Sequence, residues 1–235
     1  MLARLANSVR RRSLGGCLRP TAFFSTEPEI SRFDDVLQSI HHDVDAKKKP
    51  SVGKLTLLFR IADSRQQLVE ATKALRVFEV NFVDPAQKTA GEFIKASIAH
   101  DAGDIVLKVL QQHHRIGLFV NAGSFNNLFL HFYKKQDHAN ALALFQQLKQ
   151  YKVVPNAATY DIVLRHMIAA NHLDQLVELL AVAADAKKLK ANTLNHILIQ
   201  LVKLNADDYV AKVNEIVVKH DVPQNEVTKT LLPSQ

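Results

Sequence analysis

A period of about 35 residues runs through most of this 235-residue chain and limits what it can fold into. Pro50, Pro85 and Pro155 all lie on this spacing, Val120 occupies the one missing position, and Pro223 follows Pro155 by slightly less than two periods. A fixed spacing of this length is typical of repeat proteins, in which each repeat is one supersecondary unit. The sequence therefore predicts a stacked array rather than a single globular core.

Each period contains two blocks of apolar residues at helical spacing. In the clearest period these blocks are Phe125, Leu128, Phe129 and Phe132, then Ala141, Leu142, Phe145 and Leu148. A helix pair of this size has too little core to fold alone, so neighbouring pairs must stack. We therefore predict an all-α fold, a right-handed superhelical α-solenoid of about five helix-turn-helix repeats, with the first helices lining its concave face.

The prolines and apolar blocks also place the domain boundaries. The five predicted repeats are 52–86, 87–121, 122–156, 157–190 and 191–224. An N-terminal helix near 31–46 and the basic linker Lys47-Lys48-Lys49-Pro50 occupy 27–51, and a capping segment occupies 225–235. Among the start signals, Ser64 and Gln67 have the spacing of a capping box, and Asp137, Asn171 and Asn205 are expected to cap second helices.

The segment 1–26 contains five Arg and no Asp or Glu, while Leu2, Leu5 and Val9 form one apolar helical face. This composition is typical of a mitochondrial presequence, with an ordinary basic tail as the alternative. Removing the segment would lower the net charge from +7 to +2 and remove Cys17, the only cysteine. We therefore expect a location in the mitochondrial matrix and a mature chain without disulfides, Cys-ligated metals or thiol catalysis.

Several families build helix pairs of this length, including tetratricopeptide and HEAT-like repeats, and the residues favour one of them. The relevant segments are Ser124-Phe125-Asn126-Asn127-Leu128, Ala141-Leu142-Ala143-Leu144-Phe145-Gln146-Gln147-Leu148-Lys149, Val153-Val154-Pro155-Asn156 and Ala158-Thr159-Tyr160-Asp161. Together they resemble a pentatricopeptide repeat nearly end to end. The chain has no Trp, which the Trp-Leu-Gly signature of tetratricopeptide units would supply.

The resemblance implies binding of single-stranded RNA, one nucleotide per repeat, selected by the fifth and last residues of each unit. On this sequence those pairs are Thr56 with Ala86, Gly91 with Asn121, Asn126 with Asn156, Asp161 with Lys190, and Asn195 with Gln224. Only the pair of Asn126 and Asn156 is ordinary for the family, and two amides would suit a pyrimidine. The family also places an aliphatic wedge at the second position, where this chain has Gly53, Lys88, Gly123, Ala158 and Asn192.

Lys134, Lys135, Lys187 and Lys188 are candidate phosphate contacts. The alternative is that they are solvated residues at helix ends, where the helix dipole favours Lys. Eleven His are present without a His-Glu-x-x-His spacing, and the chain lacks the common nucleophile and phosphate-loop motifs. Scattered surface or capping histidines are therefore expected, with no metal, no cofactor and no catalytic residue.

These features predict a non-catalytic mitochondrial protein that binds RNA or ribonucleoprotein in organellar gene expression. The sparse set of reading residues favours a component of the mitochondrial ribosome, of translation or of RNA processing, which contacts single-stranded or ribosomal RNA together with mitochondrial proteins. The alternative is a scaffold or assembly factor that holds a protein segment of a mitochondrial complex and binds no RNA. No apolar run is long enough to predict a transmembrane helix.

Overall fold

A computed structural model describes residues 32–232; the predicted presequence and the last three residues lie outside this range. The described residues form twelve α-helices and one short 3-10 helix, without a strand, which confirms the predicted all-α solenoid. The helices are α1 (Arg32–Asp45), α2 (Val52–Ile61), α3 (Arg65–Val80), α4 (Gln87–Ala99), α5 (Gly103–Gln111), α6 (Ala122–Lys134), α7 (His138–Gln150), α8 (Ala157–Ala169), α9 (Leu173–Asp185), α10 (Ala191–Lys203), α11 (Asp207–Lys219) and α12 (Glu226–Leu231), with the 3-10 helix at Arg115–Phe119.

Five helix pairs run from α2–α3 to α10–α11, with α1 before them and α12 after them. The first helices α2, α4, α6, α8 and α10 contact one another in chain order, and α10 contacts α12. They form one continuous first-helix layer. Its packing follows from the apolar spacing in the sequence, because Phe125, Leu128, Phe129 and Phe132 of α6 are all buried.

Ten helix ends are closed by a residue in the left-handed conformation, and none of the ten is Gly. At each end the amide one residue further on donates to a carbonyl in the last helical turn, as Val83 N does to Phe78 O over 2.9 Å. This is the Schellman arrangement. The residues are Lys47, Phe82, Asp101, His113, Gln136, Lys152, Asn171, Lys187, Asn205 and Asp221.

The predicted helix caps are partly right. Ser64 accepts from Gln67 N and the Gln67 side chain accepts from Asp63 N, while Asp137 caps α7 by accepting from Asn140 N. Asn171 and Asn205 do not cap second helices. They close the preceding first helices with φ of 57° and 52°, because Asn tolerates the left-handed conformation better than most residues do.

The connection after α5 is the longest between a second helix and the next first helix in the described range. It contains the 3-10 helix, which ends just before Val120, the residue at the position where the period would place a proline. The Tyr151 hydroxyl donates to Leu110 O over 2.7 Å, and burial raises the pKa of Tyr151 to about 12. Arg115 N donates to the Glu79 carboxylate over 2.7 Å. These contacts tie the connection to both neighbouring repeats.

One histidine contradicts the expectation of scattered surface residues, since His166 of α8 is fully buried. Its Nε2 lies 3.0 Å from Phe129 O, and its Nδ1 lies 3.0 Å from His138 Nδ1. A carbonyl only accepts, so Nε2 carries the proton and the neutral Nδ1 accepts from His138. Burial lowers the pKa of His166, and the neighbouring His138 acts in the same direction.

Stability is expected to fall as the pH is lowered from about 7.5 to about 5.5. The unfolded chain protonates His166 near the ordinary pKa of about 6.5, whereas the folded chain, with its lowered pKa, stays neutral to lower pH. The unfolded state therefore binds more protons in this window, and the free energy of unfolding falls as the pH is lowered. Urea denaturation at both pH values measures the change. His166→Gln should reduce it, and an unchanged pH dependence in that variant would contradict this role.

Candidate nucleic-acid interface

The fifth residue of a repeat lies in the second turn of its first helix and bonds to the third residue of the next repeat. Four of the five junctions share this hydrogen bond between side chains, and together we call these bonds the interrepeat ladder. They join Thr56 to Thr89 over 2.7 Å, Asn126 to Thr159 over 2.8 Å, Asp161 to Thr193 over 2.7 Å, and Asn195 to Thr228 over 2.5 Å. The candidate base-reading residues therefore also hold the first-helix layer together.

Two repeats present the same pair of amides. Asn126 Nδ2 donates to Asn156 Oδ1 over 3.2 Å, and Asn195 Nδ2 donates to Asn225 Oδ1 over 3.0 Å. In both repeats the second Asn also caps the following helix, because its Oδ1 accepts from the amide of Thr159 or Thr228 over 2.9 Å. These contacts orient both amides beside the start of the next helix, where Asn156 is exposed and Asn225 is half-buried, whereas Asn126 and Asn195 are buried.

The second of these pairs corrects one boundary. The sequence places the end of the last repeat at Gln224, but the residue equivalent to Asn156 is Asn225, which caps α12 and bonds to Asn195. The structural repeat is therefore 191–225, one residue longer than predicted. The proline spacing suggests the shorter repeat. However, one residue separates Pro155 from α8, whereas two residues separate Pro223 from α12.

The other three predicted pairs offer fewer free polar groups to a base. The Thr56 hydroxyl bonds to Val52 O and to Thr89, while Ala86 has no polar side chain. Gly91 has no side chain to pair with Asn121, and a Cβ added to it would meet nothing within 4 Å. The Asp161 carboxylate accepts from Arg165 Nε over 3.0 Å, which offsets its charge, and Lys190 is exposed.

An apolar wedge is present at one second position that the sequence analysis did not consider. Val227 is the second residue of α12 and is exposed, whereas Gly53 and Gly123 have only polar side-chain atoms near the place of a Cβ. Val227 follows the pair formed by Asn195 and Asn225. Placing the repeat boundary after Asn225 would have identified it from the sequence.

The candidate phosphate contacts separate into two groups. Lys134 and Lys135 end α6, about 12 Å along the helix axis from Asn126 at a rise of about 1.5 Å per residue. Lys135 forms an ion pair with Asp101 over 2.6 Å. Lys187 and Lys188 are exposed in the connection that also holds Lys190, at the edge where last residues lie. This second group is closer to the residues that would read a base.

Comparison with known proteins assigns one segment of the chain to a repeat family. Residues 120–169, which include Asn126, Asn156 and Thr159, match the PPR repeat family. The chain contains pentatricopeptide repeats. No curated protein sequence matches it. Among the described residues, no group of three or more His, Cys, Asp or Glu is placed to hold a metal ion, and none of the helices is long and apolar enough to cross a membrane.

One solved pentatricopeptide structure shares the fold, and others match less closely. The pentatricopeptide repeat protein PPR10 from maize superposes with a TM-score of 0.58 at 23% identity, over 85% of this chain and 29% of the maize protein. The chain thus spans less than a third of that protein. The PPR domain of Arabidopsis thaliana protein-only RNase P 1, solved with tRNA, gives 0.46 at 16% identity over 72% and 89% of the two chains. PPR10 bound to an 18-nt psaJ RNA element gives 0.39 at 18% identity over 87% and 34%.

Proposed function

We propose that this pentatricopeptide repeat protein binds single-stranded RNA through its first-helix layer and acts without catalysis. The observation that carries the proposal is the pair of amides, repeated with the same geometry in the third and fifth repeats. Short polar side chains on a rigid helix are suited to reading a base edge. The maize protein PPR10, whose fold this chain shares, has been solved with a bound RNA element.

The amides have bonding capacity left for a base. Asn126 Oδ1 and Asn156 Oδ1 accept bonds from within the chain, and one Asn126 amide hydrogen is donated to Asn156. Asn156 is exposed, and its own amide group has two hydrogens to donate. Two amides with free donors match the carbonyl acceptors of a pyrimidine.

The cellular role we propose is in mitochondrial gene expression, within the ribosome or an RNA-processing assembly of the matrix. The Arg-rich segment 1–26 supports import into mitochondria. The small number of reading pairs supports an RNA site that is shared with partner proteins. Two amide pairs and one charged pair address about three nucleotides, at one nucleotide per repeat. Such a short element recurs in any transcriptome, so partner proteins would have to supply the remaining selectivity.

A protein scaffold without RNA is the second candidate. The first two repeats favour it, because the Thr56 hydroxyl is bonded within the chain and Gly91 has no side chain to read with. Crosslinking and immunoprecipitation from mitochondria with RNA sequencing, alongside sedimentation, separates the two roles. Absence of crosslinked RNA, together with migration away from ribosomal particles, would support the scaffold and exclude the RNA-binding role.

Asn126→Ala is expected to weaken binding to pyrimidine-rich single strands by about tenfold, as lost base contacts of this kind do. Fluorescence anisotropy with labelled oligonucleotides measures the change. Asn127→Ala is the matched control, since Asn127 lies one residue further along α6 and is exposed. Equal affinity for the Asn126 and Asn127 variants would mean that this pair does not read bases.

A further inference from the structure

Phe82 closes α3 in the left-handed conformation and is exposed, which is an unusual combination for a bulky aromatic residue. Its φ is 54°, and the ten left-handed residues of the described range are otherwise all polar. A bulky aromatic residue is a genuine outlier in this region, and such strain persists where it serves a function. Packing does not offset it, because 83% of the residue is exposed.

Two more apolar side chains project from the same edge of the array. Val80, at the end of α3, is 65% exposed, and Leu118, in the 3-10 helix, is 58% exposed. Their two connections are joined, since Arg115 forms an ion pair with Asp84 over 2.7 Å and its backbone amide donates to Glu79 over 2.7 Å. Phe82, Val80 and Leu118 therefore project from one braced edge, which we call the apolar edge.

Basic residues lie in other connections along the same side of the array as the apolar edge. The connections that lead into first helices, 46–51, 81–86, 112–121, 151–156, 186–190 and 220–225, contain eight Lys or Arg and two Asp. The turns at the opposite edge, 62–64, 100–102, 135–137, 170–172 and 204–206, contain one Lys and three Asp. Lys47, Lys48 and Lys49, in the connection before α2, are exposed. One edge of the array thus combines positive charge with exposed apolar side chains.

We propose that the apolar edge binds the surface of an anionic lipid bilayer, with Phe82, Val80 and Leu118 entering the headgroup region and Lys47, Lys48 and Lys49 contacting lipid phosphates. Apolar side chains next to a basic cluster are the features that hold peripheral proteins on anionic membranes.

The chemistry of the apolar edge favours lipid over a protein partner or RNA. Protein interfaces are depleted of Lys, and here three consecutive exposed Lys precede the repeat that ends with Val80 and Phe82. RNA would stack on aromatic rings, which Val80 and Leu118 lack. The first two repeats, which carry this edge, also have no amide pair to read a base. The proposed lipid contact therefore lies apart from the amide pairs of the third and fifth repeats.

The absence of Trp from the sequence allows a direct test on the full chain. In Phe82→Trp the single indole should shift its emission to the blue when vesicles of phosphatidylcholine and phosphatidylserine are added, and brominated lipid should quench it. Leu204→Trp is the matched control, since Leu204 is exposed in a turn at the opposite edge. It should show neither effect. Vesicle binding without a blue shift of the indole at position 82 would overturn the proposal, because the Arg-rich N-terminal segment would then be the contact.

A binding measurement completes the test. Phe82→Asn should weaken co-sedimentation with the same vesicles by about tenfold, because the variant lacks the ring that enters the headgroup region. Asn tolerates the left-handed conformation, so the variant is expected to remain folded. Affinity for pyrimidine-rich RNA should be unchanged. Vesicle affinity equal to that of the wild type would overturn the proposal, and lower RNA affinity would overturn it in favour of an RNA contact. Asn126→Ala reports separately on the proposed RNA site.

Discussion

Gly117→Ala is expected to lower the free energy of unfolding by about 3 kcal/mol, which is at the upper end for overpacking. A Cβ at this position would lie 2.3 Å from two ring carbons of Tyr151. The ring has little freedom to withdraw, because it is buried and its hydroxyl donates to Leu110 O over 2.7 Å. The new methyl group would therefore force apart the long connection after α5 and the third repeat. Urea denaturation followed by circular dichroism measures the loss.

Two further variants define this effect. Gly91→Ala is the control, because nothing lies within 4 Å of its added Cβ. At this helical site Ala should raise the free energy of unfolding by about 0.5–1 kcal/mol. Combining Gly117→Ala with Tyr151→Leu should cost less than the sum of the two single changes, since the shorter side chain removes the clash. Additive costs would show that the ring does not abut Gly117 in solution.

Thr159→Val is expected to lower the free energy of unfolding by about 2 kcal/mol, the usual cost of leaving buried polar groups without partners. The Thr159 hydroxyl donates to Asn126 Oδ1 over 2.8 Å and accepts from Asn156 N over 3.2 Å. Val has nearly the same shape and can do neither. Because the same bond orients Asn126, affinity for pyrimidine-rich RNA should fall as well.

Thr159→Ser is the control for this prediction. It keeps the hydroxyl while removing only a methyl group, so it should retain most of the RNA affinity. Thermal denaturation and anisotropy on the same three proteins separate stability from binding. A Val variant as stable as the wild type would mean that the ladder bond between Asn126 and Thr159 is absent in solution.

Much of the fold could be predicted because the relevant signals are local. The buried face of α6 follows from helical spacing of apolar residues, and the cap at Ser64 follows from residues three positions apart. The errors arose where one residue type serves two local purposes. Asn171 and Asn205 were expected as N-caps, and they close helices in the left-handed conformation instead. The predicted end of the last repeat, Gln224, is one residue too early, because the prediction follows the proline spacing to Pro223 whereas Asn225 caps α12.

The sequence by itself determined the repeat, the helix pairs, most of the core and the family resemblance, because these depend on periodicity and on residues close in the chain. Only the tertiary structure decided which reading residues form amide pairs. Asn126 meets Asn156, and Asn195 meets Asn225, across 30 residues in each case. Such contacts exist only when first helices stack in one register. The same stacking leaves Phe82 exposed and His166 buried, because exposure depends on what the neighbouring repeats cover.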